Sequence, residues 1–249
     1  MAKMLMIGNS FSQDTMMYAP AAAASAGVEL LGYNLYYGGC TLEQHETFLE
    51  EATPAPYIYE HYTPAAEQRG LVKCTLDEGL AREEWDIITF QQGSPLSGIA
   101  ESYAYLDPLY AHVRAAMGDR AVRYAWNMTW AYAQGYEGES FIAYGHDQSR
   151  MFRAICHAVD TEIRPRGLTV IPCGVAIQAA RTALPDASLT RDGYHLSLTC
   201  GRYTAALTML ATLLNIAPER VSFVPEGLSE QEAAVCRAAA RLAAASEGK

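Results

Sequence analysis

Residues 4–12, Met4-Leu5-Met6-Ile7-Gly8-Asn9-Ser10-Phe11-Ser12, decide how the chain is read. The run Met4–Ile7 is apolar without interruption, as in a strand buried on both faces, and Gly8 turns it into a corner. A helix is expected to take over from Gln13 onward. A hydroxyl at such a corner stands at the carboxyl edge of a sheet, near helix N-terminal amides that can steady an oxyanion. Ser10 is therefore a candidate nucleophile. Ser12 is a rival hydroxyl, but its place before Gln13 and Asp14 suits a helix N-cap, which involves no chemistry.

Far along the chain, Asp192-Gly193-Tyr194-His195-Leu196-Ser197 sets a carboxylate three residues before an imidazole. One loop can then hold Asp192 against one ring nitrogen of His195 and leave the other for Ser10. Each half alone has an ordinary explanation, since such corners are often mere turns and a loop Asp often binds local backbone. The pair is specific only in a fold that joins them.

Working outward, strand-like and helix-like segments alternate, the pattern of a parallel sheet covered on both faces. Strands are predicted at Lys3–Gly8, Val28–Tyr36, Trp85–Gln91, Ala121–Trp126 and Leu168–Pro172. Helices are predicted at Asp14–Ala26, Leu42–Glu51, Tyr103–Met117, Phe141–Glu162, Gly174–Ala183, Ser197–Asn215 and Ser229–Ala245. Right-handed crossovers give an α/β/α three-layer sandwich, flavodoxin-like, with five parallel strands in the order 2-1-3-4-5. Residues 57–75 read as an inserted hairpin near the site rim. The whole of 1–249 reads as one domain closed by a C-terminal helix, 229–246, with a capping box at Ser229 and Glu232.

On Gly8-Asn9-Ser10-Phe11-Ser12 and Asp192–His195 the chain resembles the SGNH (GDSL-type) serine hydrolase superfamily, in a branch related to sialate acetylesterase-like carbohydrate esterases. The resemblance runs from the first strand to the Gly201-Arg202-Tyr203 helix. It implies Ser10 as nucleophile, His195 as general base and Asp192 as its orienting partner. It also implies an oxyanion hole built from the Ser10 amide, Gly39 of the block Asn34–Thr41, and a polar side chain after the third strand. Where the family usually has Gly-x-Asn-Asp, this chain has Phe90-Gln91-Gln92-Gly93-Ser94, and Gln92 takes the donor role. In an extended strand Gln91 and Gln92 point oppositely, so at most one faces the site. Asn9, Gln91, Trp126 and Trp130 are candidate substrate-binding residues. The two tryptophans could form a sugar platform or could equally be core aromatics.

A chain of 249 residues can bury a large core without disulfides. Its six cysteines stand singly, which reads as reduced core thiols. A net charge of −10 with no basic run argues against nucleic acid or anionic membrane as partner. No targeting segment precedes the first strand and no apolar run is of spanning length, so a cytoplasmic location is expected. The remaining histidines (His45, His61, His112, His146, His157) form no metal-ligand spacing, and no phosphate-binding glycine motif appears, so neither metal nor cofactor is expected. Asn127-Met128-Thr129 matches a glycosylation sequon but is discounted without a secretory signal. The expected activity is hydrolysis of a carboxylic ester, a short acyl (acetyl) group on a carbohydrate, through an acyl-enzyme. Partners would be a small-molecule ester, with a homo-oligomer conceivable through the terminal helix. A lipase, thioesterase or acyltransferase on the same site, or a non-catalytic glycan-binding module, stays open.

Overall fold

The computed structural model describes residues 1–247. Its centre is a seven-stranded sheet: β1 Ala2–Gly8, β2 Leu30–Tyr36, β3 Tyr57–Tyr62, β4 Gln68–Cys74, β5 Ile87–Phe90, β6 Arg123–Asn127 and β7 Thr169–Ile171, in the order β4-β3-β2-β1-β5-β6-β7. The five strands β2-β1-β5-β6-β7 are parallel and reproduce the expected 2-1-3-4-5 winding. Met4 to Ile7 are at most 1% exposed, because helices cover both faces of β1.

The hairpin is part of the sheet itself. β3 pairs antiparallel with β2, and β4 with β3, so residues 57–74 extend the sheet at one edge. The cause lies in its alternation. Tyr57, Tyr59 and Tyr62 turn inward and are buried, while Ile58 faces out. Tyr59 stacks on Tyr33 of β2 at a 5.3 Å ring separation. A register shift beside Glu60 turns that carboxylate inward as well.

Among the described residues, nine α-helices flank the sheet: α1 Ser10–Met16, α2 Ala19–Ser25, α3 Leu42–Glu50, α4 Leu76–Leu80, α5 Leu106–Met117, α6 Gln148–Ala158, α7 Cys173–Ala183, α8 Cys200–Leu214 and α9 Glu230–Ser246. The predicted helix 14–26 is two helices, broken after Met16 and restarted with Pro20 in the first turn of α2. The helix expected at 141–162 is also divided. Asp147 caps α6 by accepting from the Arg150 amide, so His146 and Asp147 lie in a turn and not within a helix. α8 is buried nearly all round and lies between α1, α7 and α9. The capping box at Ser229 opens α9, where the Ser229 hydroxyl accepts from the Glu232 amide and the Glu232 carboxylate accepts from the Ser229 amide. No described helix is long and apolar enough to cross a membrane.

Candidate active site

The carboxyl ends of β1, β2 and β5 lie side by side, and the chain leaves each of them in a loop that reaches one cleft. From β1, Asn9 caps α1 with its side-chain oxygen on the Phe11 amide at 3.0 Å, so the helix begins at Ser10. Asn9, not Ser12, is the cap. The Ser12 hydroxyl is instead buried and donates to the Asn9 carbonyl and to Asn34 Oδ1.

Ser10 Oγ lies 2.8 Å from His195 Nε2, and His195 Nδ1 lies 2.6 Å from Asp192 Oδ2. A carboxylate can only accept, so Nδ1 carries the ring proton and Nε2 offers its lone pair to the serine hydroxyl. The other carboxylate oxygen of Asp192 accepts from the amides of His195 at 2.8 Å and Tyr194 at 3.2 Å. Partial burial pushes the Asp192 pKa up, but these bonds and the imidazole outweigh it and hold the carboxyl below its ordinary value. The turn needs Gly193, which has φ +93° and whose added Cβ would strike the Tyr136 ring.

What holds the histidine loop against the serine helix is Asp14. It lies one turn after Ser10 and is completely buried. Its carboxylate accepts from Arg191 Nη1 at 3.0 Å, Arg202 Nε at 2.7 Å and the Leu196 amide at 2.8 Å. One carboxylate thus ties together α1, the loop on both sides of His195, and the first turn of α8. Aromatic packing reinforces this tie. Phe11 stacks on Trp130 at 4.3 Å, the Trp130 indole donates to the Tyr194 carbonyl at 2.7 Å, and the Tyr194 ring lies 4.1 Å from the imidazole.

Gly39, in the loop after β2, lines the same cleft with φ +67° and open space where a Cβ would stand. Asn9 binds this loop through Nδ2 to the Cys40 carbonyl at 2.9 Å. Its Oδ1 also accepts from Gln91 Nε2 at 2.7 Å, and Gln91 Oε1 accepts from Asn127 Nδ2 at 3.0 Å. These three amides form a strut under the cleft floor, joining the ends of β1, β5 and β6. Asn9 reaches the cleft wall with its polar atoms already engaged, and Gln91 does not line the cleft. Asn127, wholly buried here, leaves no room for a glycan.

Besides Gln91, three expectations need correction. The Gln92 side chain accepts from the amides of Leu42 (3.0 Å) and Gly93 (2.7 Å), and donates to the carbonyl and hydroxyl of Ser102. Alternation turned it away from the corner, so it braces the α3 and Ser102 segments and has no donor for an oxyanion. Trp126 is 1% exposed and packs against Tyr103 in the core. Trp130 is fully buried behind Phe11 and backs the cleft wall without lining it.

The cleft holds about 500 Å³ and is walled by Ser10, Gly39 and His195 at its base, with Tyr36, Ser94, Tyr132, Tyr136, Ser140 and Tyr194 around it. Gln13 also reaches it, its amide fixed by Glu60 at 2.6 Å. Glu60 accepts from Asn34, Tyr62 and Gln68 as well. Burial raises its pKa despite those four donors. Among the described residues, no three His, Cys, Asp or Glu side chains converge as a metal ion would need.

Against known proteins, a family profile described as "Domain of unknown function (DUF4886)" matches residues 3–243. A crystal structure of a DUF4886 family protein from Bacteroides uniformis is 36% identical and superposes with a TM-score of 0.93, covering 100% of this chain and 96% of that one. Two more distant structures share the fold. A proposed arylesterase from Agrobacterium tumefaciens is 14% identical (TM-score 0.55; 87% and 100% covered). A proposed GDSL-like lipase from Parabacteroides merdae is 13% identical (TM-score 0.53; 82% and 92% covered). No curated protein matches the chain.

Proposed function

Since the chain belongs to the DUF4886 family, we propose that this member is a serine esterase that hydrolyses carboxylic esters through an acyl-enzyme. The observation that carries the reading is the continuous hydrogen-bond line from Ser10 Oγ through the His195 ring to Asp192, opening on a cleft. In the first half-reaction His195 Nε2 takes the serine proton as Oγ bonds to the ester carbonyl carbon. Asp192 steadies the imidazolium, and the amides of Ser10 and Gly39 hold the oxyanion. Collapse of the tetrahedral species breaks the bond to the alcohol oxygen, which receives the proton from His195. Water, deprotonated by the same ring, then attacks the acyl-serine and releases the acid.

For substrate we propose a short acyl group, acetyl, on a carbohydrate. What supports it is the cleft wall of tyrosines and serines, whose hydroxyls suit a polyol while their rings suit the apolar face of a sugar. Fluorophosphonate labelling tests the reaction class. The folded protein should take up one label, on Ser10, and Ser10→Ala should take up none. A folded wild type that resists the probe would exclude an activated serine.

A further inference from the structure

Arg191 is the cationic side chain of the cleft. The chain carries 28 acidic against 18 basic residues, yet among the described residues no acidic one lines this cleft and one arginine does. Resting on the esterase reading above, we infer that Arg191 makes the enzyme selective for esters whose alcohol part bears an anionic group.

Three observations support this. First, the guanidinium is held in place before any substrate arrives: Nη1 binds Asp14 and the Leu196 carbonyl, and among the described residues Nε and Nη2 make no hydrogen bond. A fixed fork with donors to spare is suited to a carboxylate or phosphate oxygen. Second, its charge is not cancelled by its anchor. Arg191 and Arg202 share the single carboxylate of Asp14, so this buried anchor carries one more positive than negative charge. The Asp192 carboxylate is engaged by His195 Nδ1 and by the amides of Tyr194 and His195, and makes no ion pair with Arg191. Third, the position selects which half of the ester is read. The Arg191 amide donates to the His195 carbonyl at 2.9 Å, so this residue flanks the general base. His195 must deliver its proton to the departing alcohol oxygen, so the alcohol lies on its side of Ser10, in the cleft that Arg191 also lines.

The test compares 3-acetoxybenzoate with its uncharged methyl ester. It also compares mono-4-nitrophenyl succinate, which carries the charge on the acyl side, with 4-nitrophenyl butyrate. For the wild type, kcat/KM on 3-acetoxybenzoate should exceed that on the methyl ester by about tenfold, mainly through KM, and the ratio should shrink as salt is raised. No such preference should appear for the succinate. Arg191→Gln should bring the first ratio to about one, with Arg191→Lys restoring part of it. Turnover of the methyl ester reports any loosening of the Asp14 tie, which would lower both esters alike. Calorimetric binding of the products, 3-hydroxybenzoate against methyl 3-hydroxybenzoate, reads the same contact without chemistry. It therefore separates failure of this inference from failure of the esterase reading. Equal binding of the two products by wild type, or a preference confined to the succinate, would overturn the inference. The wild-type comparisons decide the matter even if Arg191→Gln fails to fold.

Discussion

Ser10, His195 and Asp192 were legible in the sequence because each sits in a short block whose neighbours fix its local geometry: an apolar strand before Ser10, and three residues of separation between Asp192 and His195. Asp14 was not legible. A lone acid in a helix first turn looks like a dipole partner, and its three donors come from residues more than 170 positions away. Asp14→Asn keeps the shape but turns one acceptor oxygen into a donor facing guanidinium or amide hydrogens. It should cost about 3 kcal/mol in stability, as breaking a buried ion pair does, and lower kcat more than it changes KM. Thermal unfolding alongside ester kinetics would check both. Gly39→Ala should cost about 1 kcal/mol from its left-handed backbone alone. By displacing the amide we propose as an oxyanion donor it should reduce kcat on the order of 10²-fold, measurable against Gly38→Ala as a neighbouring control. Asp192 gives a dependence on pH with a definite sign. Its folded pKa is depressed below 3.8, so its contribution is present above that value and is lost as pH falls through the folded one. Because the side chain is 41% exposed, solvent screening keeps the contribution under about 1 kcal/mol. The stability gap between wild type and Asp192→Asn should therefore narrow in acid and be widest near neutrality.

Elements were legible where one residue type forces the outcome. The apolar run of β1, the Ser229–Glu232 capping box and the buried α8 all stand where periodicity placed them. Two kinds of element escaped. The split of the first predicted helix depends on the restart at Pro20, which an alanine-rich pattern masks. The β3–β4 hairpin alternates correctly, but alternation does not say which neighbour a strand will join. The Tyr33–Tyr59 stack and the buried Glu60 network settle that only in three dimensions. The capping box gives a prediction at this scale. Ser229→Ala removes the acceptor for the Glu232 amide and should destabilise by about 1 kcal/mol, with activity at saturating substrate unaltered because α9 packs on α7 and α8, not on the cleft.

For the whole molecule, the winding order was accessible because right-handed crossovers leave few alternatives, and that order alone carries Ser10 and Gly39 to one edge. Side-chain roles within the edge were not accessible. Gln92 and Trp126 stand at the expected sequence positions, yet alternation and packing turn them into braces. All six cysteines are unpaired, so the unfolding temperature should be unaffected by a reducing agent, and a fall would reveal a structural disulfide. The most direct test is rapid-quench mass spectrometry of the protein mixed with an excess of 4-nitrophenyl acetate. An acetyl adduct confined to the peptide holding Ser10, formed as fast as the first nitrophenolate is released and absent from Ser10→Ala, is the expected result. Steady nitrophenolate release with no adduct at any time, and equal release by Ser10→Ala, would contradict the account.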